Sequence, residues 1–249
     1  KTAYEIRLSL VGSEMCIRDS HEVLAAAETL TALPDFGEAS AELLDAVLDE
    51  CAKLCEGVLF PTNRAGDEVG CTFKDGVVTT PPGFKEAYKQ YAEGGWCGLT
   101  ASPDFGGQGL PETLDYLVSE MVGSANMSMG LYPGLTQGTI LALAALGTPE
   151  QRQVYLPKLV SGAWQGTMCL TEAHAGSDLG LLRSKAAPNG DGSYSITGTK
   201  IFISAGEHDM VDNHVHLVLA RLPDAPEGSR GISMFLVPKF LPKEDGTPG

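Results

Sequence analysis

The chain is 249 residues long, 43% apolar and 20% charged, which suits a globular protein of one large or two ordinary domains. Its formal charge of −15 argues against a nucleic-acid partner, because holding phosphates takes clustered Lys and Arg. No run of about 18 purely apolar residues occurs, so no membrane span is expected.

Residues 1–20 read KTAYEIRLSLVGSEMCIRDS, without an initiator Met or the apolar core of a signal peptide. They look like translated sequencing-adapter DNA and are set outside the fold. The six cysteines include no CxxC pair. With no secretory signal they read as reduced structural thiols, and a cytoplasmic location is expected.

From 21 to 160 the pattern is helical. Over 41–59, Leu43, Leu44, Val47, Leu48, Cys51, Leu54, Cys55 and Val58 recur at three- and four-residue spacing, one apolar stripe. Further helices are predicted over 84–91, 114–121, 136–146 and 149–159. A glycine-dense segment, 94–111, lies between the second and third. After Ser161 the period changes. Short strands are predicted over 193–197, 200–204, 214–220 and 231–237, separated by turn residues such as Asn189-Gly190-Asp191-Gly192. The fold class is therefore α+β: a helical domain over 21–160, then an antiparallel β domain over 161–249. Four strands leave an open edge, so the β domain is expected to be incomplete.

Two stretches carry candidate chemistry. The first, 167–186, is TMCLTEAHAGSDLGLLRSKA. Its small residues let backbone amides approach a ligand, and Thr171 and Ser177 offer hydroxyls. From the pattern alone it reads more simply as a strand followed by an Asx or ST turn, with Asp178 satisfying loop amides. The second, 196–209, is ITGTKIFISAGEHD. As a strand it would put Phe202 and Ser204 on one face, able to press on a planar cofactor and bond its edge, or simply to pack as core.

Together these stretches resemble the paired flavin-site segments of the acyl-CoA dehydrogenase family. Cys169-Leu170-Thr171-Glu172-Ala173-His174-Ala175-Gly176-Ser177-Asp178 fits the first signature position by position. Gly198-Thr199-Lys200-Ile201-Phe202-Ile203-Ser204 resembles the second, and Asp104-Phe105-Gly106-Gly107-Gln108-Gly109-Leu110 the glycine-rich loop of the helical domain. Leu181 stands where the family prefers a small residue, Phe202 where Trp is usual and Ser204 where Thr is more common. The resemblance implies FAD as cofactor, with Met168, Leu170 and Thr171 lining it. Phe202 would pack on the ring system, Ser204 would bond near the reactive nitrogen, and Ile203 lies between them. Ser177 would help to hold the coenzyme A part of the substrate.

The implied reaction is α,β-dehydrogenation of an acyl-CoA thioester to a 2-enoyl-CoA. It needs a general base, and the resemblance places that Glu in a C-terminal helical domain missing from these residues, so the fragment itself is expected to be inactive. Glu172 occupies the family's buried loop position and is read as structural; Glu207 has no motif role. An electron-transfer flavoprotein is implied as electron acceptor, and a homo-oligomer as the assembly. Tyr132-Pro133-Gly134-Leu135-Thr136, the SAGEHD loop and Leu236-Val237-Pro238-Lys239-Phe240 resemble the 3-methylmercaptopropionyl-CoA dehydrogenase branch.

Two alternatives stay open. One is a flavoprotein of the same fold that does not dehydrogenate. The other is a metal-binding hydrolase using Glu172, His174, Asp178, Glu207, His208, Asp209, His214 and His216. No metal site is expected, since His214 and His216 share a strand face and no third ligand has diagnostic spacing. A dinucleotide-binding GxGxxG in strand–helix context and a Walker A sequence are both absent.

Overall fold

A computed structural model describes residues 17–243 and 246–249. Most of the stretch expected to be foreign lies outside the described residues. Its last part does not: Ile17 packs against the core and Ser20 is buried.

Helix α1 is Ala26–Thr31 and α2 is Ala41–Leu54. Ser40 caps α2, its Oγ accepting from Leu43 N–H, and the stripe read from sequence turns Leu44, Leu48 and Cys51 inward. A π-helical turn, Cys55–Leu59, joins α2 to α3, Phe60–Val69. Pro61 accounts for it: proline has no N–H to donate to residue 57, and its ring crowds that carbonyl. The helix therefore continues ten residues beyond the expected end.

Strands β1, Thr72–Lys74, and β2, Val77–Thr79, form an antiparallel hairpin that the sequence reading passed over. Asp75 and Gly76 make its two-residue turn, both with positive φ. Helix α4 is Phe84–Glu93. The two helices expected over 114–121 and 136–146 are parts of one element, α5, Glu112–Leu146. It breaks at Asn126, where φ is −155° and ψ is 94°. The buried Asn126 side chain repairs the break: Oδ1 accepts from Met129 N–H at 3.1 Å, and Nδ2 donates to Thr62 Oγ1 at 2.9 Å. By length and composition alone, α5 is long and apolar enough to cross a membrane, which the count of purely apolar runs did not show. One face of it packs through Leu114, Val118, Met121, Val122, Ala125 and Met129 into the helical core. Helix α6, Pro149–Val160, opens with a capping box between Thr148 and Gln151.

The larger sheet has five strands: β3 (Trp164–Cys169), β4 (Lys185–Pro188), β5 (Tyr194–Thr197), β6 (Asn213–Arg221) and β7 (Ile232–Pro238). Helices followed by a sheet is the expected order, but the sheet is mixed rather than antiparallel. β3 and β4 pair β6 in parallel, while β5 pairs β4 and β7 pairs β6 antiparallel. The long connection between β3 and β6 allows a parallel pairing that a tight turn would forbid. A second correction concerns 200–204, which is not a strand: Phe202 has φ of +57° and Ala205 of +51°. A left-handed residue ends the alternation that would have put Phe202 and Ser204 on one face.

Edge strand β3 is covered by α5. Gly166 N–H donates to Thr136 Oγ1 at 3.2 Å, and a Cβ at Gly166 would collide with Thr139 Oγ1. Trp164, Val215 and Leu236 share this face with Ile140, Leu143, Leu156 and Leu159. Gly166→Ala should therefore push α5 from the sheet and cost about 1–3 kcal/mol of unfolding free energy, read by urea denaturation. An unchanged midpoint would show that the helix is free to yield.

Candidate active site

The two motif stretches meet at one buried carboxylate. Glu172 follows β3 in a tight turn closed by paired backbone bonds with Ala175, and its side chain is only 4% exposed. Oε1 accepts from Ser184 N–H at 2.9 Å, Ser184 Oγ at 2.6 Å and Lys200 Nζ at 2.9 Å, while Oε2 accepts from Arg183 N–H at 2.8 Å. Burial pushes this carboxyl up, but the hydrogen bonds from Ser184, Arg183 and Lys200 outweigh it and bring it down to about 2. Such a carboxylate is engaged on both oxygens and too weak a base for proton abstraction. Its hydrogen bonds join the segments at 172, 183–184 and 200.

One polar residue of the second motif, Lys200, bonds this carboxylate directly. Lys200, 9% exposed, also donates to the Leu170 carbonyl at 3.1 Å, and Ile201 N–H donates to the Thr171 carbonyl at 2.9 Å. Gly198 is glycine because a Cβ there would overlap Ser184 Oγ, the hydroxyl that bonds Glu172. The stretches are thus stitched backbone to backbone, although neither motif names Ser184. The signal in sequence was the Gly and Lys spacing, which was read for its match rather than for what it holds.

The residues expected to hold the cofactor differ in exposure. Met168 stands out from β3, Leu170 and Thr171 are half-buried at its end, and Ile203 is half-buried. Phe202 is 88% exposed and Ser204 is exposed. Ser177 is exposed in the following loop, near Asp178, whose carboxylate caps Gly180 N–H. Arg221, at the end of β6, went unnoticed in the sequence. Its guanidinium donates to the carbonyls of Leu182, Gly180, Gly228 and Pro226 at 2.7–3.1 Å, fixing the loop after Ser177.

The histidines of the metal alternative form a different structure. Gln165 and Thr167 of β3 pair with His214 and His216 of β6, so all four share one sheet face. His208 lies on them, with its ring centroid 4.5 Å from that of His214 and 4.9 Å from that of Tyr132. Met210 N–H donates to His208 Nδ1, so Nε2 carries the proton donated to Gln165 Oε1 at 2.8 Å. Thr167 Oγ1 sits 2.6 Å from His216 Nδ1. Among the described residues no group of three His, Cys, Asp or Glu is placed to hold a metal ion. Glu207 pairs with Lys239 at 2.8 Å, and Asp209 accepts from the N–H and hydroxyl of Thr80. Burial, reinforced by His214, pushes His208 down to about 3; burial takes His214 to about 4 against the pull of Glu207.

These shifts fix two acid responses. Glu172 is more acidic folded than its ordinary 4.5, so its contribution is complete above that value and fades as pH falls toward about 2. It is worth on the order of 3 kcal/mol. Glu172→Gln should cost about 3–5 kcal/mol at neutral pH, since Lys200 stays buried without its counter-charge. Its deficit against wild type should shrink between pH 4.5 and 2 in denaturation curves; a constant deficit would sink the assignment. His208 and His214 are buried neutral, so their contribution is complete above the ordinary 6.5 and is lost as pH falls toward 4 and 3. His214→Leu should flatten the loss of stability between pH 6.5 and 4, and an unchanged slope would place that proton uptake elsewhere.

The sequence matches the acyl-CoA dehydrogenase N-terminal domain over residues 44–163 and the acyl-CoA dehydrogenase middle domain over 167–247. It is 47% identical to 3-methylmercaptopropionyl-CoA dehydrogenase of Ruegeria pomeroyi over 215 residues, 86% of this chain and 37% of that relative. The chain thus spans little more than a third of the relative's length. The fold is that of glutaryl-CoA dehydrogenase from Mycobacterium smegmatis, with a TM-score of 0.67 at 23% identity over 93% of this chain and 50% of the other. An acyl-CoA dehydrogenase of Bacillus anthracis complexed with FAD shares it too, with a TM-score of 0.62 at 21% identity over 81% and 31%. A helical array leading into a mixed sheet, with both flavin-type motifs joined at Glu172, makes the chain a member of the acyl-CoA dehydrogenase family.

Proposed function

We propose that the protein of which these residues form part oxidises an acyl-CoA thioester to the 2-enoyl-CoA, with FAD held on the Met168–Thr171 and Phe202–Ser204 segments. The single observation that carries this reading is Phe202. A bulky ring held in the left-handed region and 88% exposed offers a flat apolar ledge, and Met168 of β3 is exposed as well. A planar ring system fits that ledge, and the stitched motifs bring the hydroxyls of Thr171 and Ser204 onto neighbouring segments where they can bond its polar edge.

When bound, FAD supplies the two-electron acceptor for oxidation of the Cα–Cβ bond. The chain's own residues bind and orient. Met168, Leu170 and Phe202 would cover the ring faces and keep water out, with the half-buried Ile203 between Phe202 and Ser204. Thr171 and Ser204 would donate to ring heteroatoms, and Ser177 would steady the coenzyme A portion on a loop fixed by Arg221. No catalytic base is assigned within these residues, since Glu172 and Glu207 are both engaged.

The relative from Ruegeria pomeroyi favours 3-methylmercaptopropionyl-CoA as the substrate. We further propose an electron-transfer flavoprotein as electron acceptor, a homo-oligomeric assembly and a cytoplasmic setting. The thiols of Cys55, Cys71, Cys97 and Cys169 suit a reducing compartment.

The full-length protein should purify yellow and bleach on addition of that acyl-CoA. Ser204→Ala should shift the flavin absorption bands and raise the barrier to reduction by about 1–3 kcal/mol in stopped flow. A colourless wild-type protein unable to take up FAD would end this reading, and an unchanged Ser204→Ala would remove that residue from it.

A further inference from the structure

Phe202 sets a problem that its own contacts do not solve. The left-handed region disfavours a bulky side chain, and a ring 88% exposed gains little from packing inside the chain. Its position must be fixed from the flanks. On the C-terminal side Gly206 N–H closes a turn on the Ile203 carbonyl at 3.1 Å, and Asp209 is tied to Thr80. On the N-terminal side Ile201 N–H reaches the Thr171 carbonyl, and two residues before Phe202 lies the ammonium of Lys200. That ammonium bonds the Leu170 carbonyl at 3.1 Å and Glu172 Oε1 at 2.9 Å, spanning the residues on either side of Thr171.

We infer that Lys200 is a positioning residue for the flavin: it sets the spacing between the Leu170–Thr171 edge of the site and the Phe202–Ser204 edge. This deepens the proposal that FAD lies on these segments and rests on it. Lys200 acts through the backbone of its neighbours and through Glu172. A compact ammonium suits the task, because its N–H groups reach a carbonyl and a carboxylate from one point. Methionine would keep the stem but leave both acceptors short of a donor. Arginine would keep the charge on a longer, planar fork that cannot sit at the same point.

The test uses the full-length protein, with Lys200→Met and Lys200→Arg stripped of FAD and then titrated with it. Flavin absorption bands and fluorescence quenching are read alongside far-ultraviolet circular dichroism. Lys200→Met is expected to bind FAD on the order of tenfold more weakly, with shifted bands. Lys200→Arg should be intermediate in both. A lowered thermal midpoint with wild-type bands and affinity in Lys200→Met would mark a merely structural residue and overturn the inference. Should Lys200→Met fail to fold, Lys200→Arg decides: shifted bands support the positioning role, and wild-type bands and affinity overturn it. Failure of the wild-type protein itself to bind FAD would remove the reading of the site and this inference with it. Wild-type binding with both variants unchanged would remove only the role of Lys200.

Discussion

A carboxylate taken out of water must be given partners, and the arrangement of this molecule around its two motifs follows from that need at Glu172. Two backbone N–H groups, one hydroxyl and one ammonium converge on it. Each donor imposes a condition elsewhere. The Ser184 hydroxyl requires that residue 198 have no Cβ. The Lys200 ammonium requires that its strand-like approach end beside β3. The N–H groups of Arg183 and Ser184 fix where β4 begins. Glu172 and Lys200 together are neutral, so their burial costs less than either charge alone, and the hydrogen bonds offset much of the rest.

The hub would be of little use if the sheet could slide on the helices. Several contacts prevent it, and they differ in kind. Gly166 brings the β3 backbone against Thr136 and Thr139 of α5, a close approach set by the absence of a side chain. Gln165, fully buried, donates to the Tyr132 carbonyl and accepts from His208, joining α5, β3 and the loop before β6. Tyr88 of α4 donates to the Gly162 carbonyl at 3.0 Å, just ahead of β3. Asp209 holds Thr80 beyond the small hairpin. The loop that carries Phe202 is therefore anchored to the helical part as well as to the sheet. Acid that charges His208 or breaks its bond to Gln165 acts on that same loop.

Residues with a strong period were legible from the sequence. The stripe from Leu43 to Val58 gave α2, and the valine-bearing, largely apolar run over 214–220 gave β6. What was not legible depends on single atoms or on distant segments. The π turn before α3 follows from a missing N–H at Pro61. The break in α5 follows from an Asn126 side chain that finds Thr62. The hairpin at 72–79 carried a usable Asp-Gly signal, but its strands are three residues each, too short for periodicity to register. Residues 200–204 alternate like a strand, and only the tertiary demand on Phe202 turns them aside. The motif residues were recognisable by pattern; that Gly198 and Lys200 answer to Glu172 needed the third dimension.

Strain and exposure coincide in this protein within a few residues. Phe202 and Ala205 are left-handed, Phe202 is uncovered, and the loop containing them is held at both ends by buried hydrogen bonds. A chain selected for stability alone would relax such a loop, letting the ring fold onto the sheet and the backbone return to extended angles. Holding it out takes a scaffold whose bonds cannot follow the relaxation. The Glu172–Lys200 pair is suited to this, because moving Lys200 would leave a buried charge unpaired. On the proposed reading, a flat ligand covering the ring would draw on the free energy kept in the loop, and the site would be shaped before the ligand arrives.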